Sequence, residues 1–312
     1  MCVTCGCGEH TDAMVSLKDG EHVHADGTRH SHDQVHPHGH VHDPVHGDGT
    51  RHAHAHVHPH GHVHDPVHID GQDLVHDHPD DLAVAGRDRR SVELEVQILG
   101  KNQLIAERNR GWLAGRGVLA LNLLSSPGAG KTSLLERTLR DLGNQLRVAV
   151  IEGDQATSND AQRIRATGVR AVQINTGTGC HLEADMLERA IALLEPERNS
   201  LLLIENVGNL VCPALFDLGE QAKVVIFSVT EGEDKPLKYP HMFSAASLVI
   251  LSKIDLLPHL RFDARRAVEN VLAVNPRLTV LEVSAHSGEG LPRWYDWLRS
   301  GLASCVGARQ NV

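Results

Sequence analysis

The spacing of apolar positions divides the chain in two. Up to about residue 80 aliphatic side chains are isolated and aromatics are lacking. Such a segment cannot bury enough apolar surface to offset its chain entropy, so it is expected to be disordered without metal. From Ser91 onward the pattern becomes that of a globular core. Val92–Ala114 repeats at helical spacing behind Ser91 as N-cap, and Val118–Leu124 is an aliphatic run of strand length. The expected strands that follow are Arg147–Glu152, Ala171–Asn175, Leu201–Ile204, Val224–Val229, Leu248–Ser252 and Leu278–Val283. Between them stand expected helices at Lys131–Leu142, Ser158–Thr167, Leu182–Glu195, near Phe243–Ala246, at Ala264–Val274 and at Trp294–Leu302. Short aliphatic strands alternating with amphipathic helices imply a mostly parallel sheet buried on both faces, hence a three-layer α/β fold. Roughly 220 residues are ample for one such core. The expected organisation is a cysteine motif at 1–10, a polar tail at 11–84 and one folded domain at 85–312.

The tail's composition gives it a chemistry. Nineteen of the 24 histidines lie between His22 and His78, interleaved with Asp, Gly, Pro and Val. Asp26–His30 recurs as Asp48–His52 and Val35–His46 as Val57–His68, a tandem repeat offset by 22 residues. Neutral imidazole is a good ligand for nickel, copper, zinc and cobalt, so the tract reads as a metal binder. The formal charge is −10 with neutral imidazoles, and protonating all 24 would make it +14, with the swing centred near pH ~6.5. At neutral pH the acidic balance argues against a nucleic-acid partner. The start of the sequence has no signal-peptide pattern, and no run of 18 apolar residues occurs, so a cytoplasmic protein off the membrane is expected. Reduced thiols are then available as ligands.

Between the first aliphatic strand and the next helix lies Ser125-Ser126-Pro127-Gly128-Ala129-Gly130-Lys131-Thr132. It fits G-x-x-x-x-G-K-[ST] with Ser125 in place of the first glycine, making this a P-loop domain. Gly128, Ala129 and Gly130 let backbone N–H groups cradle phosphates at a helix N-terminus. Lys131 should reach the β- and γ-phosphates, the Thr132 hydroxyl should ligate Mg²⁺, and Ser133 completes the loop's contacts. Ser252-Lys253-Ile254-Asp255 closes a strand; a carboxylate there accepts from N1–H and the 2-amino group of guanine, while the lysine stem stacks on the ring. With Ser284-Ala285-His286 downstream, these residues favour GTP over ATP. Asp154 is assigned to Mg²⁺ or its water shell, and Glu205, in Glu205-Asn206-Val207-Gly208, to a water-mediated metal contact. Asp154 and Asp160 both remain candidates for positioning the attacking water. No arginine finger is assignable, which implies slow hydrolysis.

Two further sets carry metal chemistry. Cys2, Cys5 and Cys7 place three thiols within six residues, and with the terminal amine could form an S₃N set favouring Ni²⁺. Cys180-His181 is expected to begin a helix, where the dipole favours thiolate. Cys212-Pro213 follows Glu205–Gly208, so a ligand there would sit on a loop that senses nucleotide. Because two ligand types from one chain do not complete a site, sharing across a dimer is one reading.

In order along the chain, Cys2-x-x-Cys5-Gly6-Cys7, the histidine tract, Ser125–Thr132, Cys180-His181, Glu205–Pro213 and Ser252–Asp255 closely resemble the HypB family of hydrogenase nickel-incorporation GTPases. The resemblance implies a SIMIBI-class G domain that dimerises with nucleotide. It also implies nickel delivery to the large subunit of [NiFe]-hydrogenase with a HypA-type chaperone as partner. By the same resemblance Cys2, Cys5 and Cys7 form a tight nickel site, and Cys180, His181 and Cys212 a weaker one, where Zn²⁺ is an alternative. Ser252 and His286 depart from the usual guanine motifs. A urease-type nickel GTPase, a nickel-storage protein and a zinc or cobalt chaperone are the rival readings; the first usually shows a contiguous Cys-Pro-His, which is broken here.

Overall fold

The computed structural model describes the backbone of residues 14–16, 21–23, 29–31, 89–154 and 159–310. In chain order its elements are strands β1 (Met14–Ser16), β2 (Glu21–Val23) and β3 (Arg29–Ser31), then helix α1 (Arg89–Arg116), β4 (Leu119–Ser125) and α2 (Lys131–Leu142). Next come β5 (Val148–Asp154), α3 (Asn159–Arg165), β6 (Arg170–Asn175), α4 (Ala184–Leu194), β7 (Leu201–Glu205) and α5 (Cys212–Leu215). The chain continues through β8 (Ala222–Ser228), α6 (Lys235–Lys238), α7 (Pro240–Ser244), β9 (Leu248–Ser252) and a 3₁₀ turn at Ile254–His259. It finishes with α8 (Ala264–Val274), β10 (Thr279–Val283) and α9 (Leu291–Gln310).

Seven strands, in the order β10-β9-β8-β4-β7-β5-β6, form a parallel sheet. The three short N-terminal strands extend it antiparallel from β6. The parallel strands are apolar on both faces because both faces are covered. Leu119, Leu121 and Leu123 of β4 enter a core with residues of α2, α3 and α9, whereas Ala120 enters a second core with α1 and α4. A third cluster joins β8 and β9 to α7 and α8.

The expected fold class is therefore observed, with differences at element ends. Helix α1 starts at Arg89, which puts Ser91 inside its first turn and not at the N-cap. Helix α9 runs on to Gln310, past the expected end at Leu302. Ile254–His259, left as a loop by the hydrophobic pattern, winds into a 3₁₀ turn containing Pro258. None of the described helices is long and apolar enough to cross a membrane.

Three neighbouring strands, β4, β7 and β5, end side by side. Glu205 pairs with Leu123 on one side and Glu152 on the other. A crevice beyond the carboxyl ends of parallel strands is where such sheets bind ligands, and that is where the chemistry-bearing residues gather.

Candidate functional site

The loop from Ser125 to Thr132 turns the chain from β4 into α2. Gly128 and Gly130 sit at φ 74° and 97°, left-handed values that side chains disfavour. Gly130 caps α2 with no side-chain hydrogen bond, so the helix's first N–H groups point into the cavity, as an anion requires. That cavity, of about 490 Å³, is lined by the loop from Ser125 to Ser133, by Glu152, Asp154, Asp160, Arg163 and Glu205, and by Lys253. Lys131 Nζ lies 3.1 Å from Ser125 Oγ and 4.0 Å from Glu205. Ser125 thus supplies a lysine contact that a glycine at this position could not. The Thr132 hydroxyl donates to Glu205 Oε1 at 2.7 Å.

Two buried carboxylates face each other across β7 and β5. Burial pushes Glu205 above the usual carboxylate range, although Lys131 and Thr132 pull it down. Burial, then the negative charges of Glu205, Asp154 and Asp160, raise Glu152 to about 8. Oε2 of each has no hydrogen-bond partner among the described residues. Buried oxygens of this kind are costly unless something neutralises them, and a hard divalent cation held by Thr132, Asp154 and Glu205 fits the donor set. Sequence reasoning passed over Glu152. The i, i+2 spacing to Asp154, which puts both on one face of a strand, was the available signal.

A second cavity, about 230 Å³, adjoins the first through Gly130, Ser133 and Lys253, and is walled by Ser252, Asp255, Leu256, Ala285 and His286. Lys253 adopts φ 62°, a left-handed conformation that costs a bulky residue about 1–3 kcal/mol. Its ammonium donates to Gly128 O at 2.6 Å, and its Cε lies over Gly130. Ser252, standing where GTPases usually have Asn, donates to Ala129 O at 2.7 Å, so the departure preserves a tie to the phosphate loop. Ser284 is fully buried and donates to Asp255 Oδ1 at 2.5 Å; it aims the carboxylate from behind the cavity wall. Arg137 donates to Ala285 O at 3.1 Å.

The third cluster gathers on the connections that leave β6 and β7. Among the described residues, ligand atoms of Cys180, His181 and Cys212 come within 4.8 Å of one another, and all three side chains are buried. Thus one chain brings both thiols and the imidazole together. The expectation that Cys180-His181 begins a helix is corrected. Glu183 is extended at φ −112°, ψ 160°, and α4 starts only at Ala184. The preceding Leu182 lays its side chain against Gly153 of β5, and its N–H is held by Asn206 Oδ1 at 3.2 Å. His181 Nδ1 lies 3.5 Å from Cys180 Sγ, its ring packs on Phe216 at 3.9 Å, and Nε2 faces Glu183 at 3.6 Å. Cys212 opens the four-residue helix α5, with Pro213 in its first turn. Two soft sulfurs and one imidazole suit borderline transition metals. Cys2, Cys5, Cys7 and most of the histidine tract lie outside the described residues.

Comparison with known proteins agrees with this geometry. The model of the "CobW/HypB/UreG, nucleotide-binding domain" family matches residues 119–282. The hydrogenase maturation factor HypB of Rhizobium leguminosarum bv. viciae is 60% identical over 214 residues, 69% of this chain and 72% of that protein. A crystal structure of HypB from Archaeoglobus fulgidus superposes with TM-score 0.62 at 39% identity, covering 65% of this chain and all of that one. HypB from Helicobacter pylori in complex with nickel gives TM-score 0.63 at 39% identity, covering 65% of this chain and 96% of that one. With its P-loop and these relatives, the chain belongs to the HypB hydrogenase maturation factors, a branch of the CobW/HypB/UreG nucleotide-binding GTPases.

Proposed function

We propose that this protein is a GTP-hydrolysing nickel metallochaperone that supplies Ni²⁺ to the large subunit of [NiFe]-hydrogenase, working with a HypA-type chaperone. One observation carries the reading: Cys180, His181 and Cys212 converge beside the loop that leaves β7 at Glu205, the carboxylate that also touches Thr132. The nickel-bound relative from Helicobacter pylori supports the choice of metal. The same two thiolates and one imidazole also suit Zn²⁺.

In this reading the G domain occupies 85–312, and GTP lies with its phosphates along Gly128–Ser133 and its base between Lys253, Asp255 and Ala285. Lys131 places positive charge against the β- and γ-phosphates. Bound Mg²⁺, held by Thr132 and Asp154 with Glu205 through water, would supply further charge neutralisation. Water attacks the γ-phosphate to give GDP and phosphate, with Asp154 or Asp160 orienting it. Arg163 lines the cavity but is engaged by Glu136 at 2.8 Å and Asp160 at 3.2 Å, so turnover without an arginine finger is slow. Cys2, Cys5 and Cys7 in segment 1–10 form a tighter nickel site, and the histidines of 11–84 buffer or store the metal. The protein works in the cytoplasm as a nucleotide-dependent homodimer and binds neither nucleic acid nor membrane.

The test is transfer of radioactive nickel from the loaded full-length protein to apo hydrogenase large subunit. Transfer should depend on GTP and disappear in Lys131→Ala. Equal transfer with and without nucleotide would sink the proposal.

A further inference from the structure

Asn206 follows the phosphate-facing Glu205 and is 1% exposed. Its side-chain amide makes three hydrogen bonds. Oδ1 accepts from the N–H of Val207 at 2.9 Å and from the N–H of Leu182 at 3.2 Å. Nδ2 donates to Asn122 Oδ1 at 3.1 Å, and Asn122 in turn donates to Glu220 Oε1 at 3.1 Å. Asn122 belongs to β4, the strand that feeds the phosphate loop.

Leu182 is the residue after His181. Its backbone N–H is held by Asn206, and its side chain rests on Gly153, between Glu152 and Asp154. A Cβ placed on Gly153 would come within 2.7–2.9 Å of three Leu182 side-chain atoms. Gly208, two residues beyond Asn206, lies against Pro127 of the phosphate loop, 3.3 Å from where its Cβ would be. Loop Glu205–Gly208 is therefore fastened to the phosphate loop at one end and to the metal loop through Asn206. The far side of the metal loop is anchored differently. Asn102 of α1 accepts from Ala184 N at 2.8 Å, and Asn109 donates to Ala184 O at 2.8 Å.

We propose that Asn206 is the positioning residue through which the phosphate-facing loop sets the metal affinity of Cys180, His181 and Cys212. A shift of Glu205–Gly208 with the γ-phosphate is passed by Oδ1 to Leu182, and so to His181 and Cys180. Cys212 follows on the same connection out of β7, so both thiols move with Asn206. Buried amide bonds make a stiff link because breaking one leaves polar groups unpaired in low dielectric. This inference rests on the nickel reading above and names the residue that transmits it.

The test uses full-length protein in which Cys2, Cys5 and Cys7 are serine, so that thiolate-to-nickel charge-transfer absorption reports the remaining cysteines. The histidine tail is an identical competitor in every sample. Nickel dissociation constants are compared at saturating GDP and at a saturating non-hydrolysable GTP analogue. Coupled sites usually differ by about 5- to 150-fold, and the parent protein should fall in that range. Asn206→Ala should bring the ratio to within about twofold of one, whereas Asn102→Ala should weaken binding equally in both states and keep the ratio. If Asn206→Ala does not fold, Asn206→Ser serves, since its hydroxyl still reaches Val207 N–H but is too short to hold Leu182. A full ratio in the folded Asn206 variant overturns the inference alone. A ratio of one in the parent protein overturns the nickel-gating reading with it.

Discussion

Replacing Glu152 by Gln should flatten the pH dependence of stability in the nucleotide- and metal-free protein. Glu152 is buried beside Glu205 and its pKa is raised from 4.5 to about 8, first by burial and then by Glu205, Asp154 and Asp160. Below pH ~4.5 folded and unfolded chains both carry its proton, so it costs nothing. Between about 4.5 and 8 the unfolded chain releases that proton while the folded chain keeps it, and stability falls as pH rises. Above about pH 8 the loss is complete. At about 1.4 kcal/mol per pH unit the rise bounds the effect at about 5 kcal/mol, and side-chain relaxation with water entry should leave about 2–3 kcal/mol. Urea unfolding at about pH 5 and about pH 8.5 measures it as a double difference, in which the tail's histidines cancel because both proteins carry them. Wild type should lose about 2–3 kcal/mol more than Glu152→Gln over this interval. A double difference below about 0.5 kcal/mol would refute the assignment of Glu152 as a buried, protonated acid.

The guanine reading predicts that Asp255→Asn loses about 10²- to 10³-fold in GTP affinity, two charge-assisted hydrogen bonds being removed, and gains affinity for XTP, whose 2-oxo group can accept from the new amide. Unchanged nucleotide preference in fluorescence titrations would contradict it. Lys131→Ala should abolish GTP hydrolysis while the tail still binds nickel; normal turnover would show that the phosphate loop is misassigned. Deleting residues 22–78 should lower nickel stoichiometry, measured by elemental analysis, and leave GTPase activity nearly intact. Cys180→Ala or Cys212→Ala should weaken nickel binding at the folded domain by more than the roughly 10–100-fold typical of outer-shell changes; retention of affinity would place the metal elsewhere.

How much of this could be read in the chain depended on how local each signal was. Ser125–Thr132 was legible because the loop, its strand and its helix are contiguous, and the hydrophobic runs placed all seven parallel strands. Ser252-Lys253-Ile254-Asp255 was legible despite Ser252, whose hydroxyl makes a tie to Ala129 that no sequence motif describes. Cys180, His181 and Cys212 were legible from their own chemistry only as candidate ligand types, and it was the family resemblance that grouped them as one site. Cys180 and Cys212 leave β6 and β7, which are separated in the sheet by β5, and only that topology brings them together. The helix start was placed too early at Cys180, and the contacts that hold the stretch before Ala184, of Leu182 with Gly153 and Asn206, are tertiary. The partnership of Asn122 in β4 with Asn206 just past β7 left no mark in the sequence, because the two are 84 residues apart and meet only through the side-chain bond between them.

The central claim is that the nucleotide is felt at Cys180, His181 and Cys212. The most direct measurement is the affinity of that site for Ni²⁺, in full-length protein with Cys2, Cys5 and Cys7 replaced by serine, with GDP and then with a non-hydrolysable GTP analogue. The account predicts affinities that differ by at least about fivefold between the two states. Equal affinities would contradict it, leaving at Cys180, His181 and Cys212 a metal site that does not sense the nucleotide.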